Sequence, residues 1–366
     1  MPSPDIVRGL RTRIQKQLLP GVKPCWRSQL SFGLQAYGLH AFQSAASNAR
    51  MTVANAHTAA RKVERLFQNQ ALANQLGTVF DQLHLVRPSD YVNVDHSDMN
   101  GLTALVGAVQ TKLGRAIPCF VETTYSDWLS ARKDAPPRKK ALRTARAEER
   151  KSRSFTGHTI DALQDFADRL GFWPRLVFDR GFGNESIVTH LYAEGATFYI
   201  RVKSGRYVEF DGQRTKIQEL KEKDTAIRLY GLTLRVIRST KDGKNDEPWY
   251  ILTNDQQRSR TKVVRIYYHR FEIEETFKDM KHIFELKRTR LNKPLSLKFL
   301  LWFVALGIAL LYKVTKPTKL KTRTATGTNP KKQTSWLRQA YEQLQQAVGL
   351  LLWGRGEVWG GSAYFL

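Results

Sequence analysis

Cysteine is nearly missing from the 366 residues: Cys25 and Cys119 are the only two. A single pair cannot build a disulfide framework, and it rules out a Cys-rich zinc module. Acid is scarce too. Against 59 Lys plus Arg stand only 33 Asp plus Glu, giving a net charge of +26. Lys313 to Arg338 carries eight Lys plus Arg and no acid. Apolar runs are short. The longest, Phe299 to Tyr312, has 14 residues. That is below the roughly 18 of a membrane-spanning helix, so it predicts a buried core helix. Met1 to Gln15 has no apolar stretch of the secretory kind. These scarcities predict a soluble, cytoplasmic protein with no membrane partner. The cationic excess makes nucleic acid the first partner to consider, because Lys and Arg that neutralise phosphates release condensed counterions.

Hydrophobic residues make up 42% and charged residues 25%, enough for a buried core and too ordered a mixture for wholesale disorder. The length predicts two or three domains. Residues 1–88 read as helical, with 11 Lys plus Arg against three acids, and are expected to form a DNA-binding domain. Within them, Thr52 to Leu76 reads either as a helix-turn-helix or as plain helical core. At Pro88 the texture changes. Tyr91 to Asp95, Leu102 to Gln110 and Ala116 to Thr124 predict a three-stranded meander. Thr159 to Leu170 is an amphipathic helix, Leu176 to Asp179 a short apolar strand, Asn184 to Glu194 a helix and Thr197 to Lys203 a strand. Residues 89–203 and 260–312 are expected to be two parts of one α/β core. Residues 204–259 predict a β-rich insertion, and 313–366 a basic linker with a C-terminal helical region. A single long helix is expected over Thr261 to Phe284. The stretch 131–153, with 10 Lys plus Arg against three acids, predicts an exposed basic segment.

Three acids stand out by context. Asp95 ends the first strand of the core, Asp179 ends a later strand, and Glu274 lies in the helix after the insertion. Carboxylates at strand ends project from the sheet edge where α/β sites usually form. An all-oxygen trio suits Mg²⁺, with Mn²⁺ as a substitute, and two such ions can drive an in-line phosphoryl displacement. Asp98 is the alternative to Asp95, and Glu275 the alternative to Glu274. His96 reads as a polar neighbour rather than a ligand. On a regular helix, Tyr267, Arg270, Glu274 and Lys281 fall within about 60° of one another. One strip would thus present an acid beside phosphate-gripping groups: Arg bidentately, Lys as a point charge, Tyr by a hydrogen bond.

Tyr267-x-x-Arg270-x-x-x-Glu274-x-x-x-x-x-x-Lys281 resembles the Y-R-E-K signature of bacterial insertion-sequence transposases. Val-Asn-Val-Asp95-His-Ser and Val-Phe-Asp179-Arg-Gly-Phe are similar to the two Asp segments of the insertion-sequence-four type of DDE transposase. The likeness runs over roughly residues 45–312, with gaps of 84 and 95 residues between the acids. It implies a ribonuclease-H-like mixed sheet with flanking helices, interrupted by a β-rich insertion and preceded by a helical DNA-binding region. It implies that Asp95, Asp179 and Glu274 are catalytic and hold two Mg²⁺ ions. It further implies that Tyr267, Arg270 and Lys281 grip the terminal 5′-phosphate region of the non-transferred strand, and that Trp249 stacks on a flipped base. Arg180 and Lys278 are the remaining expected DNA contacts.

The expected activity is cut-and-paste transposition: cleavage at the terminal inverted repeats and joining of the 3′-hydroxyls to target DNA, by a homodimer on double-stranded DNA near the nucleoid. Two alternatives stay open. One is a catalytically retired or domesticated DNA-binding protein. The other is a ribonuclease-H-type nuclease without strand transfer.

Overall fold

The computed structural model describes residues 9–10, 12–34, 56–99, 101–126, 154–239, 248–284, 286, 291, 293–317 and 335–353. The basic segment 131–153, the middle of the basic stretch 313–338 and the C-terminal residues 354–366 lie outside the described residues.

The described helices, in chain order, are α1 (Ala56–Gln68), α2 (Gln70–Asp81), α3 (Phe155–Leu170), α4 (Glu185–Ala193), α5 (Arg260–Tyr268), α6 (Phe271–His282), α7 (Pro294–Thr315) and α8 (Trp336–Trp353), besides short turns near the N-terminus. The strands are β1 (Tyr91–Met99), β2 (Leu102–Val109), β3 (Ile117–Tyr125), β4 (Arg175–Phe178), β5 (Phe198–Val202), β6 (Tyr207–Phe210), β7 (Gln213–Lys216), β8 (Asp224–Leu229), β9 (Leu232–Arg238) and β10 (Tyr250–Thr253). They form one sheet of ten strands in the order β3-β2-β1-β4-β5-β10-β9-β8-β6-β7. β1, β2 and β3 make the expected antiparallel meander. β4 then joins β1 in parallel, and β5 joins β4 in parallel. This five-stranded arrangement with flanking helices is ribonuclease-H-like. The insertion does not stand apart from it. β10 returns antiparallel to β5 and carries β9, β8, β6 and β7 outward, so core and insertion share hydrogen bonds without a break.

Period-two alternation explains why the central strands are buried on both faces. Leu176 and Phe178 of β4, Phe198 and Ile200 of β5, and Tyr250 and Leu252 of β10 point into the main core. Val177, Tyr199 and Ile251, the residues between them, point into a second core with Val263, Ile266 and Tyr267 of α5. Local chemistry marks the helix ends. The Ser154 hydroxyl accepts from the Gly157 amide at 3.0 Å, and α3 stops at Gly171 with φ of 75°. Asn184 caps α4 through the Ile187 amide at 3.1 Å.

Helix α7 extends the expected core helix to 22 residues, because Pro294 at its start pre-sets a helical φ and the apolar pattern begins by Leu297. By length and composition it could cross a membrane, so the sequence-length argument against that was too short. Burial decides instead: 83% of its most apolar window is covered within the protein. α7 packs on β3 and β2 on one side and on α1, α2 and α8 on others.

The N-terminal helices belong to the same core. Thr52 to Leu76 divides at Asn69, whose side chain accepts from the Leu72 amide at 3.0 Å and starts α2. A one-residue break is shorter than the three- or four-residue turn of a helix-turn-helix. Leu72, Leu76, Val79 and Phe80 of α2 are fully buried. Arg169 of α3 reaches Asp81 of α2 at 3.2 Å and lies over the Trp302 ring of α7. The described side chains of these helices pack as core.

Where β2 faces β3, Gly107 sits opposite Phe120. A Cβ at Gly107 would lie 2.1 Å from Phe120 Cε1, and that ring is backed by Phe166 at 4.9 Å between centroids. Gly107→Ala should therefore lower stability by about 1–3 kcal/mol. Adding Phe120→Ala removes the clash, so the double variant should lose less than the sum of the two single losses in urea denaturation. Strict additivity would refute the contact.

Candidate active site

Register places two of the three acids. Val94 of β1 pairs with Phe178 of β4 in parallel, so Asp95 and Asp179, each the next residue, leave neighbouring strands at the same sheet edge. β1 itself runs on past Asp95 to Met99, paired with β2 alone. Asp98 is exposed and accepts from Thr103 Oγ1 at 2.6 Å, on the opposite side of the strand from Asp95. The strand pleat thus separates the two candidates, and only Asp95 faces the helices.

The third acid arrives on a helix that is not continuous. In place of one helix over Thr261 to Phe284, α5 ends at Tyr268 and α6 begins at Phe271. The reason is competition for carbonyls. An unbroken α-helix would give the Ile266 carbonyl to the Arg270 amide and the His269 carbonyl to the Ile273 amide. Instead Gln110 Nε2 donates to the Ile266 carbonyl at 3.1 Å, and Asn93 Nδ2 donates to the His269 carbonyl at 3.0 Å. Gln110 also donates to Asn93 Oδ1 at 2.7 Å. The Arg270 and Ile273 amides turn to carbonyls three residues back, Tyr267 and Arg270, at 2.9 and 3.1 Å. A tight turn results, pinned to β1 and the end of β2.

Glu272 clamps the other side. Its carboxylate accepts from the Thr111 and Lys112 amides at 2.9 and 3.2 Å and lies 3.1 Å from His269 Nδ1. Asn93, Gln110 and Glu272 were missed by the sequence reading. One signal was available: Asn93 is a polar residue inside an apolar strand, and a buried amide of that kind needs partners.

The turn drives Arg270 into the middle of the acids. Its side chain is 4% exposed, with Nη1 3.3 Å from Asp95 Oδ2 and Nη2 2.6 Å from Glu274 Oε1. Its guanidinium lies over the Tyr267 and Phe271 rings at 5.6 and 4.8 Å. Tyr267, fully buried, reaches Asp179 Oδ1 at 3.5 Å, a long contact. Burial works against the charge on Arg270, but Tyr267, Asp179, Asp95 and Glu274 outweigh it and hold the guanidinium firmly protonated. Among the described residues Arg270 Nε is buried with no hydrogen-bond partner.

Asp95 pays for this crowding. Burial pushes its carboxyl up to about 6, Arg270 and the His96 amide pull it down, and Asp179 and Glu274 push it up again. His96 is no ligand in this arrangement. Its ring is stacked on Phe182 at 4.6 Å and packed on Phe155 at 4.5 Å. Burial, with His158 adding to it, pushes its basicity down to about 3, so it is neutral.

The other expected residues divide. Glu275 turns from the trio to Arg115 at 3.5 Å and to Lys278. Lys278 is exposed and paired with that Glu275, so it is not among the acids. Lys281 is half-buried in the last turn of α6. Arg180 is exposed beside Asp179. Trp249 departs from expectation: it is 3% exposed, wedged against Tyr267 at 5.3 Å and Phe271 at 5.7 Å. It has no free face for a base, because the apolar alternation of β10 points it into the second core. The exposed rings here are Tyr268 and Phe271, 61% and 37% accessible.

The donor set is oxygen only, which suits a hard divalent cation. Burial is the main reason that the Asp95 carboxyl is raised, with the neighbouring acids adding to it. Arg270 supplies positive charge beside the acids, bridging Asp95 and Glu274. Among the described residues no three His, Cys, Asp or Glu side chains converge on one point. The residues fit a metal in chemistry, and a cation that displaced Arg270 would meet three carboxylates.

A sign follows for stability. Asp95 binds its proton more tightly in the folded state than the ordinary 3.8, so its contribution favours folding at low pH and is lost as pH rises from about 4 to about 6. Asp95→Asn should flatten that part of the pH–stability curve, and the variant should gain on the metal-free parent above pH 6, by about 3 kcal/mol at most. Urea melts at pH 4.5 and 8 measure it, and an identical pH slope in parent and variant would contradict it.

Among curated proteins compared with the chain, none matches. A family model does: residues 156–310, from α3 to α7, match the transposase DDE domain. The matched span holds Asp179, the β insertion and Glu274, while Asp95 lies upstream of it. The match covers less than half of the chain, and its family chemistry, a metal-dependent nuclease and strand transferase, is what this segment is similar to: a DDE transposase.

Proposed function

We propose that this protein is a DNA transposase of the insertion-sequence-four type, cutting the ends of an insertion sequence and joining the 3′-hydroxyls to target DNA. The observation that carries the reading is the register of β1 and β4. It sets Asp95 beside Asp179 at one sheet edge, with Glu274 tied to the same point through Arg270.

In this reading Asp95, Asp179 and Glu274 hold two Mg²⁺ ions, with Mn²⁺ as a substitute. Bound there, the ions supply Lewis acidity toward a phosphate and a more nucleophilic oxygen. The protein's own groups do the rest. The three carboxylates fix charge at the sheet edge. Arg270, relieved of its carboxylate partners, presents a forked set of N–H donors matched to a phosphate. Its unpaired Nε leaves a donor to spare. Tyr267 keeps the guanidinium in plane and donates its hydroxyl toward the same position. Lys281 adds positive charge in the last turn of α6. Substrates are double-stranded terminal repeats and target DNA, held by a homodimer in the nucleoid region of the cytoplasm. A net charge of +26 requires binding to weaken steeply with salt.

A second reading, a retired DNA-binding descendant, draws on one observation: the acids meet Arg270 rather than one another. Cleavage separates the two. With DNA flanking its own gene and Mg²⁺, the protein should nick at mapped end positions, and an added target plasmid should receive the freed ends. Asp95→Asn, Asp179→Asn and Glu274→Gln should each reduce nicking by at least about a thousandfold while retaining a gel shift. Nicking at the parent rate by any of the three would remove that residue from the site. Arg270→Ala should weaken the hold on terminal DNA, and parent-level end binding would take away its phosphate role.

A further inference from the structure

The sheet edge that carries the acids continues into a basic groove. β4 and β5 are parallel, so the residues leaving them, Asp179-Arg180 and Lys203-Ser204-Gly205, emerge on the same side. β10 runs the opposite way, so its entry at Pro248 reaches that side too. Between them lies an open groove of about 800 Å³. Arg180, Arg201, Lys203 and Arg206 line it, and among the described residues no Asp or Glu does. Five half-buried cations elsewhere are matched to acids: Arg115, Arg169, Arg235, Arg258 and Lys298 each have a carboxylate within 3.5 Å. Among the described residues Arg180, Arg201 and Lys203 have none. Arg206 donates to the Tyr230 hydroxyl, not to an acid. Unmatched cations around a concave surface are costly to gather unless an anion joins them.

The groove also offers an aromatic face. Tyr207 opens β6 on its wall and is 47% exposed. Its register partner on β7 is Lys216, and the Lys216 and Arg214 cations lie 5.6 and 4.7 Å from its ring centroid. A half-exposed Tyr beside a groove lined by cations has the two parts of a single-strand site: charge that follows a backbone and a ring that stacks on bases. A duplex does not offer its base faces to such a ring. The groove starts at the acids, for Arg180 follows Asp179 directly and Arg201 is near enough to Tyr267 to interact with it electrostatically.

We propose that this groove binds an unpaired nucleic-acid strand, its phosphates on Arg180, Arg201 and Lys203 and one base stacked on Tyr207. The ligand class rests on the transposase reading, since strand breakage at a DNA end is what releases an unpaired strand beside the acids.

The test needs no metal and no catalysis. Fluorescence anisotropy in EDTA compares a labelled oligothymidylate of about 20 nucleotides, long enough to cover one groove, with a duplex of the same length. Tyr207→Ala should weaken single-strand binding about tenfold and duplex binding far less, while Tyr207→Phe, which keeps the ring, should bind like the parent. Lys203→Ala should lower the slope of log affinity against log salt by about 0.7, one phosphate contact on a single strand. Unchanged single-strand affinity in Tyr207→Ala, or an equal loss on duplex, overturns the proposal. A protein that cuts DNA ends yet binds single strands equally well without Tyr207 keeps the transposase reading and loses the groove. One that cuts nothing but shows the tenfold loss keeps the groove and loses the transposase reading.

Discussion

The ion cluster around Arg270 is the constraint on which the site depends. Three carboxylates brought to one sheet edge repel one another, and burial sharpens the repulsion because the local dielectric is low. A guanidinium fixed by its own backbone turn relieves it with short contacts to Asp95 and Glu274. The turn is in turn fixed by Asn93 and Gln110, which take carbonyls that a continuous helix would have used, and by Glu272, which ties α6 to the amides after β2. A few polar side chains on β1, after β2 and on α6 therefore set where the helix carrying Glu274 begins and where its charges point.

Such a cluster has two faces in function. Without metal, one guanidinium offsets part of the charge of the three carboxylates through its contacts to Asp95 and Glu274. In the proposed reading a divalent cation would replace the guanidinium on the carboxylates, and a phosphate would replace the carboxylates on the guanidinium.

The single sheet explains how the insertion serves the site. β10 pairs directly with β5, so the hairpins beyond it are held rigidly relative to Asp179. The basic groove is built from the ends of core strands and the first strand of the insertion, and neither part makes it alone. On the opposite edge, α7 covers β3 with apolar side chains. One end of the sheet is thereby closed as core and the other is left basic and open.

Much of this was readable from residue order. Apolar and β-branched runs marked the five core strands β1 to β5, and residues 204–259 read as β-rich, although β7 (Gln-Arg-Thr-Lys) is too polar to register by itself. Apolar periodicity marked α3, and the strand-end and helix contexts of Asp95, Asp179 and Glu274, together with the transposase resemblance, picked out the acids. Short-range patterns suffice there because strand pleat and helical pitch are local properties. Three features came only from tertiary contact. The helix break at His269 depends on Asn93 and Gln110, far away in the chain, competing for carbonyls. Trp249 looked available for stacking but is buried, because which face of β10 meets α5 depends on how the sheet is covered. The cations around Tyr207 belong to segments that meet only when parallel β4 and β5 and returning β10 lie side by side. Side-chain identity and local period are written in the order of residues; which polar groups find one another is decided by long-range packing, where each bond made denies its atoms to another.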